Sequence, residues 1–286
     1  MTTAAHAAAF ERIAGLKRDR VPIVMVTAYD IVSARVAEAA AVDVVLVGDS
    51  AANVVLGYDS TQSISAEELL VLARAVRRGL TTPLMVCDLP FGTYEASDTQ
   101  AVATARRFTA EARCDAVKLE GAHEIAGRAR AIVAAGIPVM GHVGLLPQHV
   151  EAGGAFHAQG RRADEALAIT RAALELERAG CFAIVIEAVP APVSAAITER
   201  LAIPTIGIGA GAATDGQVLV FHDLMGLAGD RHPRFTKEYA SLFGPMVEGV
   251  RTYAADVRAR RYPSAEHTYP LSGDELAAFQ TALERP

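Results

Sequence analysis

The sequence predicts an α/β fold, a single (β/α)8 TIM barrel over residues 1–286 with an N-terminal helix and a C-terminal helical tail. Eight short apolar runs alternate with helical patterns along the chain, and a barrel of this type takes about 250 residues. No repeat, low-complexity stretch or linker divides the chain. Four of the runs also end on an acidic residue, at the strand ends where this fold carries its active site.

The first predicted element is a helix within residues 1–20, where alanines and scattered charges such as Glu11 differ from the basic start and continuous apolar stretch of a secretory signal. The strands follow as runs rich in Val, Ile and Leu, which are typical of strands buried on both faces. In chain order, the predicted strands are residues 23–29, 42–48, 84–88, 116–120, 138–142, 182–187, 205–208 and 218–221.

Helical patterns fill most of the intervals between these strands, and their ends carry stop signals. Gly79, Gly136 and Gly180 follow helical patterns, and Pro83 and Pro204 precede the next strand. The predicted helices are residues 31–40, 66–78, 99–111, 125–135, 164–179 and 193–201.

The composition excludes several classes of function. The chain is 51% hydrophobic and carries a net charge of -6 without the basic stripe that nucleic-acid binding requires. No apolar run approaches the roughly 18 residues of a membrane-spanning helix. The three cysteines are odd in number and widely spaced, which favours buried thiols in a reducing cytoplasm over disulfides or a zinc site.

A glycine cluster at residues 207–212 formally fits the dinucleotide fingerprint G-x-G-x-x-A of a doubly wound sheet, the rival architecture. That fingerprint belongs to a first strand that opens into a helix, with an acidic residue about 20 positions further on. Here six other predicted strands come first, and residues 213–216 have the composition of a loop. We therefore interpret the cluster as a tight loop.

Asp49, Asp88, Glu120 and Glu187 are the acidic residues that end apolar runs. Because parallel strands all end on the same side of a sheet, the four carboxylates should share one rim. So much negative charge over a low-dielectric core needs protons or a cation to neutralise it, which favours a bound divalent metal. Asp30 also ends a strand, but it directly precedes a helix and is interpreted as an N-cap.

Structural explanations compete with the functional ones at this rim. Asp49 could be a turn residue, and Glu120 could simply pair with Lys118, which lies on the same side of its strand. Asp88 is followed by Leu and Pro, a conformationally restricted segment that does not start a helix, so an N-cap role does not explain this acidic residue. Glu187 ends the most apolar run without an obvious charged partner, so we expect a raised pKa that suits proton transfer.

His142 ends the fifth predicted strand, where a histidine is as typical of a hydrogen-bonded core group as of a catalyst. The other histidines lie in predicted loops without metal-ligand spacing. No G-x-S-x-G, H-E-x-x-H, P-loop or C-x-x-C motif occurs, which excludes the usual hydrolase, zinc protease and phosphotransfer classes.

Nine short motifs occur in order along the chain. They are TAYD at 27–30, LVGDS at 46–50, DLPF at 88–91, VKLEG at 117–121, GHVG at 141–144, QGR at 159–161, EAVP at 187–190, IGIGAG at 206–211 and DGQVLV at 215–220. In order and spacing the set resembles the ketopantoate hydroxymethyltransferase family. The resemblance runs from about residue 24 to residue 267, and the ordered set is far more specific than any one motif.

The resemblance implies a metal-dependent TIM barrel of the phosphoenolpyruvate/pyruvate type that acts in pantothenate biosynthesis. Its members transfer a one-carbon unit from 5,10-methylenetetrahydrofolate to 3-methyl-2-oxobutanoate, giving 2-dehydropantoate and tetrahydrofolate. By motif match, Asp49, Asp88 and Glu120 would hold Mg2+, and Glu187 would be the proton acceptor. The residues on the substrate side would be Asp49, Ser50, Asp88, Lys118 and His142, of which Ser50 and Lys118 would anchor the substrate carboxylate.

The sequence departs from the family pattern in the loop after the fifth predicted strand. The family's Ser-Val-Asn is replaced by residues 149–151, His-Val-Glu, and the glycine pair Gly153-Gly154 is displaced by one. Long loops over a barrel mouth are commonly lids, so lid closure or folate affinity is expected to differ. Ala122 replaces a further family glycine, a change that is expected to be harmless.

Two other functions stay open at the level of sequence. An enzyme of the phosphoenolpyruvate and isocitrate lyase type would share the barrel and its acidic rim, but its Lys-Cys-Gly-His loop is absent from this chain. A binding or scaffold protein without turnover is the second alternative, and the intact acidic residues and Lys118 argue against it. The family also implies a homo-oligomer, typically a homodecamer, and Met246, Val250, Tyr253 and Val257 are spaced to pack on the barrel or a neighbour.

Overall fold

The computed structural model describes residues 3–121, 123–150, 157–227 and 233–285. The chain forms two compact units, the first ending at Tyr239 and the second beginning at Ala240. Within the described ranges, every helix is too short or too polar to span a bilayer.

Eight parallel strands form the first unit's central sheet, and they close into a barrel in chain order because β8 pairs with β1. This confirms the predicted (β/α)8 class. The strands are β1 Ile23–Thr27, β2 Val44–Val47, β3 Leu84–Asp88, β4 Ala116–Glu120, β5 Val139–Gly144, β6 Ala183–Glu187, β7 Thr205–Ile208 and β8 Gly216–Leu219.

Helices surround the barrel, and most of them begin within two residues of the predicted position. In the first unit they are α1 Thr3–Arg18, α2 Ile31–Ala39, α3 Ala51–Val54, α4 Ala66–Arg77, α5 Asp98–Arg107, α6 His123–Ala134, α7 Ala163–Arg178, α8 Ala191–Arg200 and α9 Phe221–Leu224. A π-helical turn, Phe108–Ala112, extends α5, and 3-10 turns cover Thr61–Ser63 and Pro147–His149.

Residues 209–215 connect β7 to β8 without a helix, in agreement with the absence of a predicted helix between these strands. The glycine cluster forms this connection. Gly211 has a φ of +80°, and a Cβ at this position would lie 2.5 Å from the Cβ of Ala191. The interpretation as a tight loop is therefore confirmed, and β8 begins at Gly216, two residues earlier than predicted.

Helix α1 lies across the amino-terminal end of the barrel. Its Ile13 is buried in the same apolar cluster as the inward side chains of the strands. The Phe10 ring packs edge-on against the Phe182 ring, with the two ring centroids 4.8 Å apart. Lys17 forms an ion pair of 2.7 Å with Asp215, directly before β8. Because α1 covers this end of the barrel, the carboxyl ends of the strands are left for a binding site.

A larger apolar cluster fills the space between the strands and the surrounding helices, with Leu69, Phe108, Ile132 and Leu176 among its fully buried members. The three cysteines are buried and unbridged, as predicted. Both apolar layers hold the strands at fixed positions, so side chains at the strand ends are presented on a rigid frame.

The second unit contains α10 Phe243–Arg258, a 3-10 turn Ala265–His267 and α11 Gly273–Leu283. Met246, Val250, Tyr253 and Val257 lie along α10 with 43–67% of their surface exposed. The predicted packing of this apolar stripe on another surface stays a prediction.

Candidate active site

The four acidic residues predicted to share a rim do so. Asp49 follows β2, and Asp88, Glu120 and Glu187 are the last residues of β3, β4 and β6. All four line one cavity of about 380 Å³ at the carboxyl ends of the strands. This volume lies in the range of pockets that hold small ligands.

Lys118 is the buried cation of this cavity, placed beside Asp88 by the register of β3 and β4. Its Nζ lies 2.6 Å from Asp88 Oδ1 and 3.8 Å from Glu120 Oε1. Burial alone would lower the pKa of Lys118, but Asp88, Glu120 and Asp49 outweigh it and raise that pKa. Lys118 therefore forms its closer ion pair with Asp88. A pairing with Lys118 alone does not explain why an acidic residue stands at position 120.

His142 links two carboxylates across β5. Its Nδ1 lies 3.2 Å from Glu120 Oε1, and its Nε2 lies 3.3 Å from Glu187 Oε2. Burial and Lys118 lower the pKa of His142, but the two carboxylates outweigh them and raise it to about 9. The expectation that Glu187 has no charged partner is wrong, because the fold brings in a histidine from the neighbouring strand.

Asp49 is the carboxyl of this site that its surroundings shift toward the protonated form. Burial, followed by the nearby Asp88 and Glu120, raises the pKa of Asp49 well above its usual value, against the opposing effect of Lys118. The Asp49 carboxyl is therefore harder to ionise than an aspartate in water. This agrees with the sequence-based argument that the rim needs protons or a cation.

Ser50 follows Asp49 and also faces the cavity. Although it precedes α3 as the N-cap residue, its side chain makes no capping hydrogen bond. Its Oγ lies instead 2.8 Å from the hydroxyl of the buried Tyr29. The Ser50 hydroxyl is thus held by Tyr29 at the cavity wall.

Gln148 and Tyr94 are buried at this site, and the sequence analysis missed both. Gln148 donates through Nε2 to Asp49 Oδ2 at 2.8 Å and through its backbone N–H to Glu120 Oε2 at 3.0 Å. The Tyr94 hydroxyl lies 2.5 Å from Gln148 Oε1. A glutamine after a proline and a tyrosine in a loop carry no pattern that would single them out.

The residues present fit a divalent cation. Among the described residues, no three His, Cys, Asp or Glu side chains form a ready-made metal cage. The carboxylates of Asp49, Asp88 and Glu120 nevertheless supply the hard oxygen donors that Mg2+ prefers. Asp88 Oδ1 is buried without a hydrogen bond of normal geometry, although Lys118 contacts it.

The departures from the family pattern at Glu151, Gly153-Gly154 and Ala122 lie outside the described residues. Their expected effects on lid closure and folate binding stay predictions.

A closed barrel with buried carboxylates and a lysine at its carboxyl end defines a TIM-barrel enzyme. Two solved structures resemble it over nearly the whole chain. Phosphoenolpyruvate phosphomutase from Streptomyces platensis subsp. rosaceus is 18% identical with a TM-score of 0.58, covering 95% of this chain and 98% of that one. 2,3-Dimethylmalate lyase, a phosphoenolpyruvate mutase/isocitrate lyase superfamily member, is 14% identical with a TM-score of 0.54, covering 96% of each chain. These likenesses show the fold of that superfamily.

The sequence comparisons give the family. The family model for ketopantoate hydroxymethyltransferase matches residues 8–265. The 3-methyl-2-oxobutanoate hydroxymethyltransferase of Nitratidesulfovibrio vulgaris (strain DP4) is 48% identical over 268 residues, covering 94% of this chain and 87% of the relative. That of Frankia alni is 51% identical over 246 residues, covering 86% and 80%. The chain belongs to the ketopantoate hydroxymethyltransferase family.

Proposed function

We propose that the chain transfers a hydroxymethyl group from 5,10-methylenetetrahydrofolate to 3-methyl-2-oxobutanoate, giving 2-dehydropantoate and tetrahydrofolate. The observation that carries the proposal is the placement of Glu187 in one cavity with Lys118 and with carboxylates suited to Mg2+. A base, a fixed cation and a metal site together are what proton abstraction next to a keto group requires.

Asp49, Asp88 and Glu120 would hold Mg2+ in this proposal. When bound, the ion acts as a Lewis acid that stabilises negative charge developing on the keto oxygen of the substrate. Support comes from a barrel of the same fold, phosphonopyruvate hydrolase, whose structure was solved in complex with oxalate and Mg2+. That protein is 14% identical to this chain with a TM-score of 0.59, covering 96% of this chain and 95% of its own.

Lys118 and Ser50 would orient the 2-oxo acid through its carboxylate. The ammonium group of Lys118 is charged at neutral pH because its pKa is raised, and it is already excluded from water. The Ser50 hydroxyl is fixed by Tyr29 and can donate a hydrogen bond to a carboxylate oxygen. Both groups are therefore placed before the substrate arrives, which lowers the cost of orienting it.

Glu187 would take the proton from C3 of the substrate, leaving the electron pair in an enolate that C3 then uses as a nucleophile. C3 forms a bond to the methylene carbon of the donor, both C–N bonds of that carbon break, and water supplies the hydroxyl oxygen. The two donor nitrogens take up the proton that Glu187 removed from C3 and one proton from the water. The Glu187 side chain is 14% exposed, more than the other carboxylates of the site, so substrate can reach it. His142, 3.3 Å away, would keep its carboxylate in place.

The test is proton exchange at C3 of 3-methyl-2-oxobutanoate in D2O, followed by NMR without folate, with Mg2+ or with EDTA. We expect exchange in wild type with Mg2+, and its loss in Glu187→Gln. Glu199→Gln, an exposed substitution on α8, is the matched control and should exchange like wild type. Addition of 5,10-methylenetetrahydrofolate should then yield 2-dehydropantoate. A wild type that binds Mg2+ and the oxo acid but neither exchanges C3 nor forms product would contradict the proposal.

A further inference from the structure

Gln148 lies in the 3-10 turn after β5 and is fully buried, and each of its polar groups is hydrogen bonded. The two hydrogens of Nε2 go to Asp49 Oδ2 at 2.8 Å and to the carbonyl oxygen of Leu89 at 3.0 Å. Its backbone N–H donates to Glu120 Oε2 at 3.0 Å. One residue thereby connects the ends of β2, β3 and β4.

Tyr94 fixes which way the Gln148 amide points. The Tyr94 hydroxyl accepts the backbone N–H of Glu120 at 3.2 Å. Its hydrogen has two acceptors within reach, and Gln148 Oε1 at 2.5 Å is closer than the carbonyl oxygen of Glu120 at 3.2 Å. A flipped amide would turn its oxygen toward the carbonyl oxygen of Leu89, which is an acceptor and cannot donate to it. The NH2 group is therefore held on Asp49.

The contacts of Gln148 use one oxygen of each of two carboxylates. On Asp49, Gln148 occupies Oδ2 and leaves Oδ1 for a cation. On Glu120, it occupies Oε2, while Oε1 faces His142. Both carboxylates are thus held in one rotamer by groups that do not themselves bind a metal, as hydrogen-bond partners of metal ligands commonly do.

We propose that Gln148, oriented by Tyr94, is a positioning residue that sets the Asp49 and Glu120 carboxylates for a divalent cation. The proposal rests on the proposed function, since it concerns the same carboxylates. Removal of such a partner weakens metal affinity or activity by about 10–100-fold in metal sites generally. The same range is expected here.

A competing explanation is that Gln148 only docks the loop after β5 onto the barrel. The chain offers a matched control, because Gln62 also holds this loop, donating through Nε2 to the backbone oxygen of Gln148 at 2.7 Å. The Gln62 side chain bonds only the backbone of the loop, whereas Gln148 bonds Asp49 through its side-chain amide and Glu120 through its backbone N–H. Loss of Gln62 therefore loosens the loop while leaving the amide-carboxylate bonds.

The experiment measures Mn2+ affinity by EPR titration of the full chain without substrate, for wild type, Gln148→Leu, Tyr94→Phe and Gln62→Leu. We expect Mn2+ binding about 10–100-fold weaker in Gln148→Leu. Tyr94→Phe should also bind Mn2+ more weakly than wild type, by a smaller factor. Gln62→Leu should bind Mn2+ with nearly wild-type affinity. At saturating metal, C3 exchange by Gln148→Leu should recover most of the wild-type rate, because its base is untouched.

Two outcomes overturn the inference while leaving the proposed function standing. One is wild-type Mn2+ affinity in Gln148→Leu with an unchanged circular dichroism spectrum, and the other is equal weakening in Gln62→Leu. If Gln148→Leu does not fold, Tyr94→Phe decides, and wild-type Mn2+ affinity in that variant overturns the inference. A wild type that binds no Mn2+ overturns both the inference and the proposed metal site.

Discussion

At the scale of single residues, the site is a set of buried charges that depend on one another. Lys118 is 3% exposed and contacts a carboxylate that is itself 2% exposed, Asp88. A buried ion pair contributes little compared with a well-packed apolar pair, but loss of one partner leaves the other charge buried without compensation. The lysine is thus needed for folding as well as for the chemistry proposed for it.

Lys118→Met should lower the free energy of unfolding by about 3–5 kcal/mol, since Asp88 would remain buried without its cation. The measurement is urea unfolding in EDTA at neutral pH. Arg35→Met, an exposed substitution on α2, is the control and should change this free energy by less than about 0.5 kcal/mol. A loss below about 1 kcal/mol in Lys118→Met would show that Asp88 does not depend on this lysine.

The sequence predicted the residues of the site whose position follows from the strands that carry them. Asp49, Asp88 and Glu120 end apolar runs, so their convergence needed only a parallel sheet. The contact between His142 and Glu187 and the hydrogen bonds of Gln148 could not be predicted in this way. Gln148 and Asp49 are 99 positions apart, and only the closed barrel brings them together.

At the scale of elements, helix α2 shows how local chemistry fixes a boundary. Asp30 accepts the backbone N–H of Ser33 at 2.6 Å, and Ser33 Oγ accepts the backbone N–H of Asp30 at 3.1 Å, a reciprocal capping box. The predicted N-cap is confirmed. Burial would raise the pKa of Asp30, but the hydrogen bonds from Ser33 outweigh it and lower that pKa.

Asp30→Asn should make the stability of the protein less dependent on pH between about pH 5 and pH 3. The lowered pKa means that the Asp30 carboxylate stabilises the folded state fully above its unfolded pKa of about 3.9, and this contribution is lost as the pH falls through the folded pKa. Asparagine caps α2 without a charge. The free energy of unfolding of wild type should therefore exceed that of Asp30→Asn by about 0.3–1 kcal/mol at pH 6.

The measurement for this cap is urea unfolding of wild type and Asp30→Asn at pH 6, 4 and 3. The difference in unfolding free energy should shrink toward zero with acidification. Asp30→Ala, which removes the acceptor altogether, should stay about 1 kcal/mol less stable than Asp30→Asn at each pH. A gap between wild type and Asp30→Asn that is constant with pH would contradict the assignment.

The start of β8, after the connection from β7, is an element boundary that the sequence did not predict correctly. The sequence indicated a loop at the glycine cluster, but it predicted the start of β8 two residues too late, because Gly216 has low strand propensity and the apolar run begins only at Val218. Pairing of Gly216 and Gln217 with β1 and β7 overrides that propensity. Such an override comes from tertiary contacts, which a local pattern does not contain.

At the scale of the whole first unit, α1 is part of the barrel's core. Ile13 is 1% exposed and lies in the cluster formed by the inward side chains of the strands. The sequence predicted a helix here but gave no indication that it covers the barrel. The opposite end of the same strands carries the site, so a change at Ile13 acts on stability without touching the chemistry.

Ile13→Ala should therefore destabilise the protein by about 2–5 kcal/mol through the cavity that it leaves. The turnover rate for each folded molecule should equal that of wild type at temperatures where the variant is folded. Urea unfolding measures the first quantity, and initial rates divided by folded fraction measure the second. Glu11→Ala, an exposed change on the same helix, is the control; a smaller turnover rate in folded Ile13→Ala would mean that the two ends of the barrel are coupled.

Closure of the barrel has a consequence for the protein during its synthesis. β1 pairs with β8, and Ile23 lies opposite Gly216, so the two partners are 193 positions apart in the chain. At about 5–20 residues per second, a ribosome needs about 10–40 s to deliver β8 after β1. Throughout this interval the nascent chain carries an open strand edge, so we expect it to depend on chaperones until the last strand emerges.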